Sequence, residues 1–348
     1  MLITAGRSLW RAVGVATLAA APAPARVLRQ SRHLAMTSMP LPDSSEVKKG
    51  ASAAPDTAVY PALWSPEKNV SRIAVCQLCS TDDVEKNFAA VAKFAALAQE
   101  CGASLACFPE NFNFLGSGVR KSLDIAEPLE GKTLLRYRGL AKDLGIWLSL
   151  GGFQEKIDQQ TEEGAEGDKE FIANCHVIID AEGELKSRYR KLHMFDAPYV
   201  NLKESAFTKA GDSIAVANSP VGKLGVSICY DLRFPELYVA LRQRGAEVIL
   251  IPAAFTVPTG QAHWEVLLRA RAIETQCYVV AAAQSGRHNE KRESYGHSMV
   301  VDPWGEVVAR CADGEGMCVA DIDLNRLREI RARMPVADHR RPEVYSGL

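Results

Sequence analysis

Apolar and polar positions follow two periods that alternate along most of the chain. From Ser71 onward, short apolar runs typical of buried strands are separated by longer runs in which apolar residues recur every three or four positions, as on one face of a helix. Strands are predicted in RIAVCQL, ASLACFPE, IWLSLGGF, CHVIID, ELKSRYRKLH, KLGVSICYD, AEVILIPAAF, YVVAAAQS and HSMVVDPWG. Helices are predicted in VEKNFAAVAKFAALAQECG, TLLRYRGLAKDLG, PELYVALRQRG, HWEVLLRARAIETQ and LNRLREIRARM. This interleaving predicts an α/β fold with an extended sheet core.

Several segments lack this periodicity and mark the domain limits. Residues 1–42 contain no acidic side chain, many alanines and serines, and the arginines Arg7, Arg11, Arg26, Arg29 and Arg32. This composition predicts an organelle transit peptide, with a basic N-terminal tail as the alternative. Residues 43–70 are interpreted as a linker. One domain is then expected over 71–335, with a polar, acidic, solvent-exposed loop or hairpin over 154–170 and a C-terminal tail over 336–348.

The predicted leader also bears on location. Met36 and Met39 lie near its end, so a second start would leave a cytosolic form. We therefore expect a mitochondrial or cytoplasmic location, or a plastid in a photosynthetic organism. The apolar stretch VGVATLAAAPAPA is too short and too interrupted by proline to span a bilayer.

Charge and cysteine usage narrow the class of protein. The 41 Lys and Arg residues nearly balance the 42 Asp and Glu residues, for a net charge of −1, so neither nucleic acid nor a membrane is expected as a partner. The nine cysteines are odd in number and several lie in apolar runs, which indicates reduced thiols in a reducing compartment. Cys76 and Cys79 form a CxxC pair, but no second pair completes a metal site. We expect no metal and no cofactor.

Cys229 is the first candidate for chemistry. It lies in GVSICYDLRFPEL, where a hydrophobic strand gives way to a short polar turn and then to a helix that begins with Pro235. The free N–H groups of such a junction are expected to lower the pKa of the thiol and to favour the nucleophilic thiolate. The alternative is a cysteine that only packs at the end of a strand.

Glu110 and Lys191 are candidates for the base and the cation that a thiol nucleophile needs. Glu110 ends the apolar strand ASLACFPE, where burial is expected to raise its pKa and suit it to proton transfer. Lys191 follows the strand SRYRK and could stabilise both a thiolate and an oxyanion. The alternatives are a structural glutamate and a solvated surface lysine.

A cysteine–histidine dyad is the rival arrangement. His193, His263 and His297 are its candidate bases, but none lies in a recognisable dyad context, and His263 is predicted to open a helix as a packing or capping residue. The residues before the cysteine read GVSIC, so a GxSxG serine elbow is excluded.

Taken together, these stretches resemble the nitrilase superfamily of carbon–nitrogen hydrolases. In that superfamily the FPE strand end, the RKxHxF stretch and the CYDLRFPE elbow carry a Glu–Lys–Cys triad, and the resemblance extends from Ser71 to Leu348. The longer segments AHWEVLLRARAIETQCYVVAAAQ, ESYGHSMVVDPWG and RRPE look like the deaminated glutathione amidase branch.

The resemblance implies roles for individual residues. Glu110 is the implied proton acceptor, Lys191 the proton donor and oxyanion stabiliser, and Cys229 the nucleophile. A second glutamate is implied at Glu204, although MFDAPYVNLKES is shorter than the glycine-containing loop of the branch. In the corresponding mechanism, the backbone N–H of Tyr230 is a second oxyanion donor. Arg233 anchors either Asp231 or a substrate carboxylate, or it ties the elbow to a neighbouring acid.

The resemblance further implies a four-layer α-β-β-α sandwich that packs into homodimers or higher oligomers. The implied activity is hydrolysis of the terminal amide of deaminated glutathione, a 2-oxo acid amide, to the acid and ammonia through a cysteine thioester. The implied partners are a small amide and water. The alternatives are an ω-amidase or nitrilase acting on another small amide or nitrile, and a catalytically idle interaction protein. An intact Glu–Lys–Cys set favours an enzyme, since a scaffold needs no thiol, base and cation together.

Overall fold

Two six-stranded β-sheets with helices beside them form the fold. The computed structural model describes residues 69–157, 170–198 and 202–345. The predicted transit peptide, almost all of the linker and most of the predicted insertion lie outside these residues. In the described part of the chain, no helix is long and apolar enough to cross a lipid bilayer.

The regular elements alternate between strand and helix in chain order. The strands are β1 (Val70–Gln77), β2 (Leu105–Phe108), β3 (Trp147–Lys156), β4 (Ile172–Ile179), β5 (Leu185–Arg190), β6 (Asp196–Ala197), β7 (Leu202–Lys203), β8 (Ala215–Ser219), β9 (Gly222–Val226), β10 (Val248–Leu250), β11 (Tyr278–Ala281), β12 (Ser285–Arg287), β13 (Glu293–Tyr295), β14 (Met299–Val301), β15 (Val307–Arg310) and β16 (Gly316–Asp323). The α-helices are α1 (Val84–Glu100), α2 (Val119–Asp124), α3 (Lys132–Leu144), α4 (Pro235–Gln243), α5 (Val257–Thr275), α6 (Leu324–Arg333) and α7 (Pro342–Tyr345).

The first sheet has the strand order β16-β1-β2-β3-β4-β5. Its strands β1, β2 and β3 are parallel, and α1 or the pair α2 and α3 provides each crossover, as parallel neighbours require. β16 runs antiparallel to β1 along its whole length. The carboxyl ends of β1, β2 and β3 therefore open to the same edge of the sheet.

The second sheet has the order β15-β14-β11-β10-β9-β8. Here β9, β10 and β11 are parallel, with α4 and α5 as crossovers. The chain leaves the carboxyl end of β9 toward Cys229 and that of β10 toward Pro252, so both segments lie at one edge of this sheet.

Three apolar clusters separate four layers. Helices α1 and α3 cover the outer face of the first sheet, the two sheets pack against each other, and α4 and α5 cover the outer face of the second sheet. Alternate residues of β1 face different clusters, with Ala74 and Cys76 outward and Ile73 and Val75 inward. Burial on both faces explains the continuous apolar runs of the sequence. The predicted α-β-β-α sandwich is confirmed.

Some predicted boundaries were wrong. The strand predicted through Asp231 ends at Val226, because the chain turns out of the sheet, where the backbone N–H of Cys229 bonds the Pro252 carbonyl at 2.8 Å. The helix predicted from His263 begins at Val257; proline is compatible with the first turn of a helix, and Pro258 lies there. β16 was not predicted, because this edge strand buries few of its residues.

The predicted insertion also begins too early. Glu155 and Lys156 belong to β3, and the carboxylate of Glu155 is buried, where it accepts two hydrogen bonds of 2.8 Å from Arg190. The start of this acidic segment is therefore part of the sheet, and the loop follows it.

Candidate active site

Cys229 begins a 3₁₀ turn, Cys229–Arg233, between β9 and α4. Its φ of 45° lies in the left-handed region, which costs a residue with a side chain about 1–2 kcal/mol. The hydrogen bond to Pro252 anchors this conformation to the loop after β10. The thiol bonds the carboxylate of Glu110 and accepts a hydrogen bond from the backbone N–H of Ala254. The elbow thus presents the sulfur to the space between the ends of the two sheets.

Glu110 reaches this space because the backbone of β3 leaves room for it. A β-bulge interrupts the pairing of β3 with β4 between Leu150 and Phe153. Within it, a Cβ on Gly152 would lie 2.6 Å from the Asn111 nitrogen and 2.7 Å from Cγ of Glu110. Gly152 also has a φ of 71°, which glycine adopts without steric cost. Gly152 therefore permits the close approach of Glu110, which is only 3% exposed.

Lys191 lies between two carboxylates. Its Nζ is 3.2 Å from Glu110 Oε1 and 3.1 and 2.9 Å from the two oxygens of Glu204. The lysine is 2% exposed, which excludes the alternative of a solvated surface charge. The structure therefore brings Glu110, Lys191 and Cys229 together as predicted, and it includes Glu204 in the same cluster.

Glu204 is held by the loop that begins after Lys191. It starts a short 3₁₀ turn, Glu204–Ala206, and its Oε2 accepts the backbone N–H of Phe195 at 2.7 Å. These contacts fix the carboxylate against the ammonium although the loop is shorter than the branch pattern implied. Glu204 lies beside Lys191, and within the described residues it forms no hydrogen bond with Cys229.

Asn174 is a member of the cluster that sequence reasoning missed. This β4 residue donates from Nδ2 to Glu110 Oε1 at 2.9 Å and to Glu204 Oε1 at 3.3 Å. It therefore bridges the two carboxylates. The one signal in the sequence is that Asn174 is a polar residue within the otherwise mostly apolar strand β4. That signal alone does not indicate a contact with Glu110.

The charges of the cluster correct two expectations about pKa values. Burial alone raises the pKa of Glu110, but Lys191, Arg292 and hydrogen bonds from Cys229 and Asn174 outweigh it, so the pKa lies below its ordinary value. Burial and the negative charge of Glu110 raise the pKa of the Cys229 thiol well above its ordinary value, although Lys191 and the Ala254 N–H oppose them. The resting state is a neutral thiol beside an ionised carboxylate.

The ammonium of Lys191 remains protonated in this setting. Burial lowers its pKa, but the charges of Glu110 and Glu204 more than compensate, and the net pKa lies above its ordinary value. The cluster therefore holds one permanent cation and a base beside a neutral thiol. Such a set can move the thiol proton to Glu110 as sulfur attacks, because Lys191 stabilises the negative charge that develops.

Arg233 does not anchor Asp231, which corrects that part of the expectation. Its guanidinium lies 3.3 and 3.4 Å from Nδ1 of His263 and faces the rings of Tyr230 and Phe255 at 5.7 and 5.5 Å. Within the described residues, no carboxylate forms an ion pair with it. Within the described residues, Arg233 therefore does not tie the elbow to a neighbouring acid either. A role of Arg233 in binding a substrate carboxylate stays a prediction.

The rival dyad finds no support in the geometry. His193 bonds Asp231 at 2.7 Å, His263 is exposed inside α5, and His297 bonds the carbonyl of Tyr295 at 3.0 Å. Across the described ranges, none of the three imidazoles forms a hydrogen bond with Cys229. The expected position of His263 at a helix start was wrong, since six residues of α5 precede it.

Tyr230 directly follows Cys229, and its role as an oxyanion donor stays a prediction. It is the second residue of the 3₁₀ turn, and the first backbone donor within the turn is the next residue, Asp231, which bonds the Ile228 carbonyl at 3.0 Å. The first N–H groups of a helical turn have no partner inside it. The N–H of Tyr230 is therefore not used by the turn itself.

Over the described residues, no group of three or more His, Cys, Asp and Glu side chains is arranged to hold a metal ion. Cys76 is buried in β1, while Cys79 lies beyond its end and contacts the Arg287 carbonyl at 3.5 Å.

The four-layer sandwich, with a Glu–Lys–Cys cluster at the ends of strands from both sheets, defines the class of nitrilase-superfamily hydrolases. A family model for carbon–nitrogen hydrolases matches residues 72–332. The chain belongs to the carbon–nitrogen hydrolase family.

Individual relatives agree with this membership. The chain is 50% identical over 293 residues to deaminated glutathione amidase of Homo sapiens, covering 82% of this chain and 87% of that protein. Its fold is similar to the crystal structure of the Caenorhabditis elegans NitFhit protein, with a TM-score of 0.73 and 46% identity over 79% of this chain and 66% of that one.

A more distant structure bears on the cysteine. A mutant amidase from Nesterenkonia sp. AN1 carries the acetamide moiety of fluoroacetamide as a covalent addition at its active-site cysteine. It has a TM-score of 0.65 and 25% identity, over 80% of this chain and 96% of that one.

Proposed function

We propose that this protein is an amidase that hydrolyses deaminated glutathione through a thioester on Cys229. The observation that carries the proposal is the cluster itself, in which the thiol bonds Glu110 and the Lys191 ammonium lies 3.2 Å from the same carboxylate. The substrate is supported by the relatives named deaminated glutathione amidase.

In the first half-reaction, the thiol proton moves to Glu110 while sulfur attacks the amide carbon. Lys191 and the N–H of Tyr230 bind the oxyanion, and loss of one such donor typically costs about 2.7–4 kcal/mol. When the intermediate collapses, the carbon–nitrogen bond breaks, Glu110 returns its proton to the leaving nitrogen, and the acyl group remains on sulfur as a thioester.

In the second half-reaction, water enters where the amine has left. Glu110 takes a proton from this water as its oxygen attacks the thioester, with Glu204 holding Lys191 toward the new oxyanion. Collapse breaks the carbon–sulfur bond, and the thiolate regains the proton from Glu110. The acid then leaves and the resting thiol is restored.

The chemistry of the substrate determines the nitrogen product. In deaminated glutathione the cleaved amide nitrogen belongs to cysteine, so it leaves as the amine of cysteinylglycine. The ammonia that the resemblance implied is therefore wrong for this substrate. Ammonia is expected from primary 2-oxo acid amides such as those of an ω-amidase. The two activities share the acyl half of the substrate and differ only in the leaving group.

The acyl half carries a carboxylate, and two arginines are suited to bind it. Arg233 and Arg292 are partly buried and, within the described ranges, neither forms an ion pair with a carboxylate. The hairpin of β12 and β13 that carries Arg292 begins beside Gln284, whose Nε2 donates to the Glu110 carbonyl at 3.0 Å. We propose that Arg292, together with Arg233, attracts the carboxylate of the 2-oxo acid.

The test compares products from wild type and Cys229→Ala. Release of 2-oxo acid and cysteinylglycine from deaminated glutathione, and of ammonia from primary amides and nitriles, should be lost in the variant. Cys101→Ala is the matched control, because Cys101 is an exposed thiol at the end of α1. Full activity in Cys229→Ala would overturn the nucleophile. No turnover of any amide or nitrile by wild type would favour the interaction protein.

Location and assembly are part of the proposal. The composition of residues 1–42 supports import into an organelle, with a cytoplasmic form from Met36 or Met39, and the family resemblance supports a homodimer. Sequencing the N-terminus of organelle-purified protein tests import with cleavage of the leader, because an intact Met1 contradicts cleavage.

Light scattering at several protein concentrations tests the homodimer, because a monomer at every concentration contradicts it.

A further inference from the structure

Asp231 is a buried carboxylate that the mechanism above does not use. Its side chain is fully buried, and it accepts four hydrogen bonds. Oδ1 accepts from the backbone N–H of His193 at 3.1 Å and from its Nδ1 at 2.7 Å. Oδ2 accepts from the hydroxyl of Tyr189 at 2.7 Å and from the backbone N–H of Ile228 at 2.9 Å.

These donors come from the two segments that carry the reactive groups. Tyr189 and His193 are two residues before and two residues after Lys191, and Ile228 directly precedes Cys229. One carboxylate therefore joins the chain on both sides of the ammonium to the chain at the thiol. In the described part of the protein, no lysine or arginine forms an ion pair with Asp231; its ionisable partners there are His193 and Tyr189.

An ionised carboxylate is suited to this junction. All four groups that bond Asp231 are hydrogen-bond donors. An ionised carboxylate accepts hydrogen bonds at both oxygens and has no donor group, whereas a protonated acid or an amide has one. Burial of a charge is unfavourable unless hydrogen bonds replace its hydration, and bonds to an ionised acceptor are about twice as strong as neutral ones. A neutral amide at this position would turn an NH₂ group toward at least one donor.

The junction also reaches the residue that follows the thiol. The ring of His193 stacks on Phe234 at 3.7 Å with an interplanar angle of 8°. Phe234 contacts Tyr230 edge to face at 5.5 Å, and Tyr230 follows Cys229 directly. The orientation of His193, which Asp231 determines, therefore also supports the backbone that holds the proposed oxyanion donor.

We propose that Asp231 is a positioning residue that sets the distance between the Lys191 ammonium and the Cys229 thiol. It acts through His193, Tyr189 and Ile228 and does not touch the substrate. The inference rests on the proposed function for its kinetic consequences, but the distance it controls is a property of the free protein. A misplacement of about 1 Å in such a cluster is enough for a hundredfold loss of rate.

The kinetic test uses Asp231→Asn, which keeps the shape and removes the charge. We expect kcat to fall about 100-fold with KM changed less than about threefold, as for an interaction used in the transition state. A displaced Lys191 ammonium would also lie farther from Glu110, and Lys191 is the main group that lowers the pKa of Glu110. The acidic limb of the kcat/KM profile should therefore move to higher pH. A merely structural role would leave that limb in place.

Two further variants separate positioning from folding. His193→Asn retains an N–H near the position of Nδ1 and should keep kcat within about fivefold, while His193→Ala should lose most of it, on the same transition-state reasoning. Tyr189→Phe removes one hydrogen bond to Oδ2 and should give an intermediate loss. Native kcat and an unchanged acidic limb in a folded Asp231→Asn, or equal losses in the two His193 variants, would overturn the proposal.

A substrate-free measurement keeps the test independent of the proposed function. The rate of Cys229 alkylation by iodoacetamide, followed by mass spectrometry of its peptide, should fall at least about fivefold in Asp231→Asn, since thiol reactivity follows the nearby base and cation. Cys101 in the same sample provides the internal control. If wild type hydrolyses no amide, the proposed function fails while this rate still decides the role of Asp231, and equal Cys229 rates would overturn it.

Discussion

The side-chain amide of Asn174 donates a hydrogen bond of 2.9 Å to Oε1 of Glu110, the same oxygen that Lys191 contacts at 3.2 Å. The base is therefore held on one oxygen by an amide and an ammonium. The Cys229 thiol bonds the same carboxylate. Glu110 is thus oriented by a strand of the first sheet toward a nucleophile supplied by the second.

Removing this amide should impair the base. Asn174→Ala is expected to lower kcat about tenfold or more, because hydrogen bonds to charged groups contribute about 1.5–3 kcal/mol. The acidic limb of kcat/KM should move to higher pH, since the Asn174 bond lowers the pKa of Glu110.

The isosteric variant Asn174→Asp sharpens the test. It places a third carboxylate beside Glu110 and Glu204, and like charges raise the pKa of a neighbouring acid. The acidic limb should move further than in Asn174→Ala. Identical limbs in wild type and both variants would contradict the role of Asn174.

Activity should persist well into acidic solution. Glu110 must be ionised to accept the thiol proton, and its pKa lies below the ordinary 4.5, so kcat/KM should fall only below about pH 4.5 on its acidic side. Lys191 has a raised pKa and does not limit activity on the basic side below pH 9. Initial rates from pH 4 to pH 9 check this, and an acidic limb above pH 6 would show that the neighbours of Glu110 do not outweigh its burial.

Arg292 should discriminate between charged and uncharged substrates. Arg292→Gln is expected to lower kcat/KM about tenfold or more for a 2-oxo acid amide and to leave an uncharged aliphatic amide of equal length nearly unaffected, because a charge-assisted bond to the carboxylate is lost. The comparison is made at pH 8, where Glu110 is ionised in both proteins.

The same hairpin offers a matched control. Arg287 is exposed and pairs with Glu293 at 3.3 Å, so Arg287→Gln should leave both substrates unaffected. Parallel losses on charged and uncharged amides in Arg292→Gln would assign Arg292 to the structure of the hairpin instead of to the carboxylate.

His176 should make stability depend on pH. Its ring is buried between Ser149 and the Ser227 carbonyl, at 2.7 and 3.0 Å, and burial lowers its pKa from 6.5 to about 4. His176 is therefore protonated near pH 6.5 in the unfolded chain but only near pH 4 in the folded protein. Stability is full above pH 6.5 and decreases as the pH falls through this window, by about 3 kcal/mol at most for one such residue.

Urea unfolding at pH 7.5 and pH 5 measures this dependence. His176→Asn retains a polar side chain and should unfold more easily at pH 7.5, while losing less stability than wild type between the two values. His288 has a pKa lowered in the same direction, so part of the slope should remain. An equal slope in wild type and His176→Asn would exclude His176 as a source.

The sequence alone determined the order of the elements and the residue types of the site. Periodicity predicted most strands and helices, because burial on one or two faces leaves its period in the chain. The resemblance added the sandwich and the roles of Glu110, Lys191 and Cys229. The pattern did not reveal β16, the early start of α5, or the bulge at Gly152 that makes room for Glu110.

Only the tertiary structure decided how these residues act on one another. Glu110 and Lys191 are 81 residues apart in the chain, and the sign of each pKa shift depends on which charges and dipoles surround a buried group. Burial alone predicted a raised pKa for Glu110, and a helix start alone predicted a lowered pKa for Cys229. Lys191 reversed the first, because Coulomb interactions at about 3 Å are strong where water is excluded. Burial of the thiol, together with the negative charge of Glu110, reversed the second.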